Sequence, residues 1–291
     1  MRYFTKKSNF NLICKKTKMG SQNIKIILLL LLFVSCRDKK GQTNEENVIK
    51  KKVEKTSNHN TKIVQNENHV IDKSKDLIKT LLPTSYRIFN NEDPTKELGS
   101  DWFDLSEKNG KYYLEKAIYK LTKGYDECVG VEIKTITTGR KTLLLIEDPK
   151  LSIGEVPFLP IIKKYTWPKQ QQSFFFKNQT YTLRAEGTTE ENLTPENDDD
   201  NETLWGKVKN YKIYLSKNGN SETLLLSEED FNDTFVELLF VGDIDRDGKL
   251  DFIFGANRDY EETRVILFLS SEAEVNKIIR KVSEIAIQFD C

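Results

Sequence analysis

Val241-Gly242-Asp243-Ile244-Asp245-Arg246-Asp247-Gly248-Lys249-Leu250-Asp251-Phe252-Ile253-Phe254 is the stretch on which the reading of the fold turns. Aspartates stand at loop positions 1, 3, 5 and 9 (Asp243, Asp245, Asp247 and Asp251), with Gly248 at position 6. Four carboxylates this close repel one another strongly unless a cation compensates them. Calcium takes about six to eight hard oxygen ligands, and this spacing lets a tight loop turn its side chains toward one ion. Gly248 permits the sharp turn, and Lys249 at position 7 would offer its backbone carbonyl while its side chain points away. The expected ligands are therefore Asp243, Asp245, Asp247, Lys249 and Asp251, and the expected cofactor is calcium. The apolar runs on either side, residues 235–241 and 250–254, are short and rich in aromatic and β-branched residues. They read as strands, with Leu250 and Phe252 or Phe254 facing the core.

Outward from this loop the pattern stays β. Asn109-Gly110 precedes Tyr112; Lys177-Asn178 divides residues 174–176 from 181–183; Asn218-Gly219 divides 211–215 from 223–226. Asn-Gly favours a tight hairpin because both residues tolerate positive φ. Further strands are expected at 112–121, 129–135, 143–146, 264–269 and 282–289. Residues 76–82, ahead of Pro83, suit a short helix stopped by the proline. The predicted class is mainly β: antiparallel sheets with hairpins, one short N-terminal helix, and one Asp-x-Asp-x-Asp-Gly calcium loop between strands. Residues 190–202 carry seven acids among thirteen residues and read as an exposed loop. A subdomain break at 188–203 is the corresponding expectation within a folded unit spanning 72–291.

The N-terminal region is organised differently. Residues 1–35 contain seven Lys/Arg and no acid, and residues 26–34 form a nine-residue apolar run. At about 1.5 Å per residue that run spans roughly half of a ~30 Å hydrocarbon core, too little for a transmembrane helix. A basic stretch, a short apolar run and small Ser35 before Cys36 make the layout of a secretory signal. Phe33-Val34-Ser35-Cys36 resembles the lipobox of bacterial lipoproteins, which implies acylation of the Cys36 thiol and cleavage just before it. Met19 would begin a signal of ordinary length. Arg37 does not resemble the Asp that retains some lipoproteins in the inner membrane, so the resemblance implies an outer-membrane destination. Residues 36–71 then form a flexible tether, polar and without apolar periodicity.

The loop and its flanks also resemble the FG-GAP/VCBS-type calcium loop between two strands. It differs from an EF-hand, because position 12 is Phe254 and the flanks are not helical. One copy is present, so the propeller in which such loops often repeat is not implied. With Cys14 removed in the signal and Cys36 acylated, Cys128 and Cys291 remain, and an oxidising compartment favours one bridge between them.

Several functions are excluded. Removing the seven basic residues of the signal from 45 leaves 38 against 45 acids, a net charge of −7 with no basic stripe. Nucleic acid is therefore not an expected partner. The histidines, His59 and His69, both lie in the tether, which leaves none for a histidine-dependent nucleophile or a typical catalytic zinc site. No glycine-rich phosphate loop occurs. Two readings remain: a non-enzymatic structural or interaction protein of the envelope, contacting the membrane through lipid and a protein or glycan partner, or a carboxylate-dependent glycan hydrolase. The enzyme would need two carboxylates roughly 5–9 Å apart in a cleft. The anchor is tested by Cys36→Ser, which should leave unprocessed precursor or release the protein. Normal processing and membrane fractionation of that variant would reject it.

Overall fold

The structure, a computed structural model, describes residues 78–90, 92–189 and 206–291. The signal segment, Cys36, the tether and the acidic stretch 190–202 lie outside the described residues. All described residues belong to one compact unit, Asn66–Cys291. Among them no α-helix occurs, and no helix is long and apolar enough to cross a membrane.

The strands run β1 (Lys79–Leu81), β2 (Ser85–Arg87), β3 (Phe103–Lys108), β4 (Lys111–Lys116), β5 (Tyr119–Asp126), β6 (Val131–Thr138), β7 (Lys141–Glu147) and β8 (Gly154–Val156). They continue with β9 (Gln171–Phe176), β10 (Gln179–Thr189), β11 (Val208–Lys217) and β12 (Thr223–Glu228). The last four are β13 (Glu237–Gly242), β14 (Asp251–Gly255), β15 (Glu262–Leu269) and β16 (Arg280–Gln288). They form four sheets of orders β1-β7-β3-β4-β8, β2-β6-β5, β12-β11-β10-β9 and β13-β14-β15-β16, every pair antiparallel.

The expected hairpin turns form. Asn109 and Gly110 (φ 54° and 75°), Lys177 and Asn178 (44° and 62°), and Asn218 and Gly219 (53° and 70°) all take positive φ. Such turns match the right-handed twist of the strands they join. The expected strand at 112–121 is two strands in different sheets, because the chain turns away at Ala117, whose N–H donates to the Trp102 carbonyl.

The helix expected over 76–82 is corrected. Asp76 and Leu77 lie outside the described residues, and Lys79–Leu81 is strand β1, registered on β7 with Thr80 opposite Ile146. Ile78 donates its N–H to the Val282 carbonyl, and the Thr80 and Ser283 hydroxyls lie 2.7 Å apart. A helix this short is marginal by itself. Here edge pairing on one side and burial of Ile78, Leu81 and Leu82 outweigh it.

Packing centres on the β13–β16 sheet, whose two faces feed two separate cores. Phe252 and Phe254 of β14, with Ile266 and Phe268 of β15, pack with Phe174, Tyr181, Leu183 and Ile213 of the β9–β12 sheet. Ile253, Val265, Leu267 and Leu269, the alternate residues, pack with Leu105, Leu114, Leu144 and Ile146 of the five-stranded sheet and with Tyr86 and Ile136 of the small one. A strand covered on both faces needs apolar residues at every position, which is why residues 265–269 read as an unbroken run. Leu250, Phe252 and Phe254 are all buried, as expected. The 188–203 segment connects β10 to β11, which pair directly through Thr189 and Val208 in one sheet.

Cys128 and Cys291 lie at disulfide distance, with S–S 2.07 Å and Cα–Cα 5.5 Å. Cys128 sits in the turn between β5 and β6, where its N–H donates to Asp126 Oδ1. Arg87 donates to Asp126 Oδ2 at 2.7 Å and lies 3.6 Å from Asp290 Oδ1, so charge and sulfur join the same segments. The bridge spans a sequence separation of 163. Loop-closure entropy puts the effect of Cys128→Ser at a loss of about 5 kcal/mol, read from the urea midpoint. Two alkylatable thiols in the native exported protein, or an unchanged midpoint, would refute this.

Candidate metal centre

The acidic loop joins β13 to β14. Its entrance is set by Gly242, where a Cβ would come within 2.4 Å of the Pro157 carbonyl oxygen. Asp243 N–H donates to that same carbonyl at 2.8 Å, so the strand end is held against the 157–159 segment. Gly248, at φ 91°, reverses the chain.

The loop then folds onto its own carboxylates. Gly248 N–H reaches both oxygens of Asp243 at 3.1–3.2 Å. Asp247 N–H donates to Asp245 Oδ1 at 3.1 Å, and Lys249 N–H to Asp247 Oδ1 at 2.8 Å. These bonds gather one oxygen each from Asp243, Asp245 and Asp247 within 4.8 Å of one another. Asp243 is fully buried, Asp245 is half-buried and Asp247 is exposed. The three form an acidic triad that can hold a metal ion, and an all-oxygen set suits a hard cation. Burial pushes the Asp245 carboxyl above its usual range, with the charges of Asp247 and Asp243 adding to it and a Ser271 hydroxyl bond opposing.

Two expected ligands behave differently. Asp251 stands apart from the triad: Oδ2 accepts the Ile244 N–H at 2.7 Å and Oδ1 accepts the Ser270 N–H at 2.8 Å. Fully buried, it is pushed well above the ordinary carboxylate value first by burial and then by the Asp245 charge. It ties the start of the loop to the chain leaving β15. Lys249 does not turn its side chain away. Its ammonium donates to Asp247 Oδ2 at 2.8 Å, and that carboxylate raises the lysine pKa.

Four residues escaped the sequence reading. Lys177, in the β9–β10 turn, donates to Asp243 Oδ2 at 3.0 Å. Arg246, at the loop apex, donates to Ser152 Oγ at 2.6 Å and to the Ile153 and Glu155 carbonyls at 3.3 Å. Ser271 donates to Asp245 Oδ2, and the Ser270 hydroxyl lies 3.1 Å from both Asp247 Oδ1 and Asp251 Oδ1. Nothing local marks Lys177 or Arg246. The Ser270-Ser271 pair directly after an apolar strand was the one visible signal.

One surface groove among the described residues, lined by Asp101, Phe103, Lys116, Leu151, Ser152 and Ile153 among others, holds a single carboxylate, Asp101. Of the aromatic side chains Trp167, Phe174 and Phe175, the first two are buried and the third faces solvent. Comparison of the chain with protein-family models, with curated proteins and with solved structures finds no match.

Asp251→Asn tests the separate role of that carboxylate. An amide can accept through only one of its two positions, so either Ile244 N–H or Ser270 N–H loses its acceptor. A loss of about 1–3 kcal/mol is expected from denaturant unfolding. Unchanged stability would show that the loop does not depend on it.

Proposed function

We propose that this is a lipid-anchored protein of the cell envelope whose β-rich domain is stabilised by calcium at Asp243, Asp245 and Asp247, and that it serves a structural or interaction role. The observation that carries the reading is the position of the triad. The loop that holds it is touched by Lys177 from the β9–β10 turn, by the 152–155 segment through Arg246, and by Ser270 and Ser271 after β15. An ion there would cross-link the loop to which three sheets are fastened, which is what a structural calcium does.

The export reading supports this choice of ion and compartment. Acylation at Cys36 would place the domain outside the cytoplasm, probing an outer-membrane surface or periplasm on a tether and meeting a protein or glycan partner there. The Cys128–Cys291 pair fits an oxidising environment. Phe254 at position 12 offers no bidentate carboxylate, so the affinity belongs with extracellular modules, on the order of 10⁻⁴–10⁻³ M.

Calcium at 5–10 mM, about ten times the weaker affinity bound, should raise the melting temperature relative to chelator by mass action. Asp245→Ala should abolish the increment. Protons compete for the same oxygens. Because burial raises the Asp245 carboxyl, it takes up a proton before ordinary carboxylates do, and the calcium increment should shrink as pH falls toward their range. Identical melting curves in chelator and in calcium at neutral pH would end the proposal.

A further inference from the structure

We propose that Lys177 is a tethered competitor for the metal site: its ammonium occupies Asp243 when no ion is bound, and calcium must expel it. This rests on the calcium reading above and adds a mechanism that sets the affinity. Asp243 has no exposed side-chain surface, whereas the Lys177 side chain is 54% exposed. The lysine therefore reaches inward from solvent, placing its Nζ 3.0 Å from Asp243 Oδ2.

A buried carboxylate needs a compensating charge. The other hydrogen-bond donor to Asp243 in the loop is the neutral Gly248 amide, so Lys177 supplies that charge. A backbone amide on one lone pair of a carboxylate oxygen is compatible with a metal on the other. An ammonium is not, because two cations on one oxygen repel at short range. Lys177 and a divalent ion at Asp243 Oδ2 are thus mutually exclusive.

Lys249 plays a similar part at Asp247 Oδ2. It is exposed and belongs to the loop itself, so its side chain swings off without disturbing a second sheet. Lys177 belongs to the two-residue turn between β9 and β10, where Phe176 pairs with Gln179. Its release detaches that turn from the loop. The ammonium also lies 5.1 Å from the Phe176 ring centroid, which offers a resting place after release. Ion uptake therefore trades one inter-sheet contact for coordination, and the cost of that contact weakens binding.

The test compares Lys177→Gln and Lys177→Arg with the parent chain, by calorimetric calcium titration and by melting in chelator and in saturating calcium. Lys177→Gln should bind calcium about tenfold more tightly, the size expected from removing one charge-assisted hydrogen bond. It should melt below the parent in chelator and level with it in saturating calcium. Lys177→Arg, which keeps the charge, should retain the parent affinity. Equal affinities for Lys177→Gln and the parent, or an equal drop in melting temperature under both conditions, would make Lys177 a plain structural contact and overturn the proposal while leaving the calcium site standing. Absence of calcium binding in both the parent and Lys177→Gln would remove the site itself and this inference with it.

Discussion

The structure depends on one constraint: the β13–β16 sheet has no solvent face. Phe252 and Phe254 fill one core, and Ile253 between them fills the other. Each fully buried side chain of this size contributes about 1.5–3 kcal/mol of apolar transfer. Polar substitution along residues 252–254 of β14 or 265–269 of β15 therefore penetrates a core, whichever way the side chain points. The five-stranded sheet and the β9–β12 sheet are held together because both cover this one.

A sheet sandwiched in this way has to manage its strand ends, where backbone groups and connecting loops meet the flanking layers. At the β13–β14 end the acidic loop does so with charge. Asp243 faces Lys177, Asp251 closes the loop on itself and on Ser270, and Arg246 grips the chain before β8. At another edge, buried charge is used without any metal-like geometry: Arg264 bridges Glu228 of β12 and Glu284 of β16, joining two sheets. Burial raises the Glu228 carboxyl despite Arg264, so that contact is held at an electrostatic cost.

Local signals in the sequence were the dependable ones. Asn109-Gly110 and Lys177-Asn178 turn where expected because the preference for positive φ belongs to the two residues themselves. The strands flanking the acidic loop were legible for the same reason. What failed was decided by distant partners. Residues 78–82 have spacing that suits a helix, and only the edges of β7 and β16 turn them into strand. In the loop, the spacing that marks position 9 does not show that the amides of Ile244 and Ser270, one before and one well after it, each bond an oxygen of Asp251. Lys177 and Asp243 are 66 residues apart, and no periodicity connects them.

The sheet on which everything packs is also the last to be made. Strands β1 to β12 precede residue 237, and each of the two large sheets they form has an apolar face meant for β13–β16. A chain synthesised or threaded from its N-terminus therefore presents both faces uncovered until the final strands arrive. Its hairpins can form early, but cohesion comes only through contacts far apart in sequence, a topology that folds slowly. During that wait the exposed sheets are the species most open to misassembly. Holding the chain unfolded until β16 has emerged would serve this domain better than letting each sheet form as it appears.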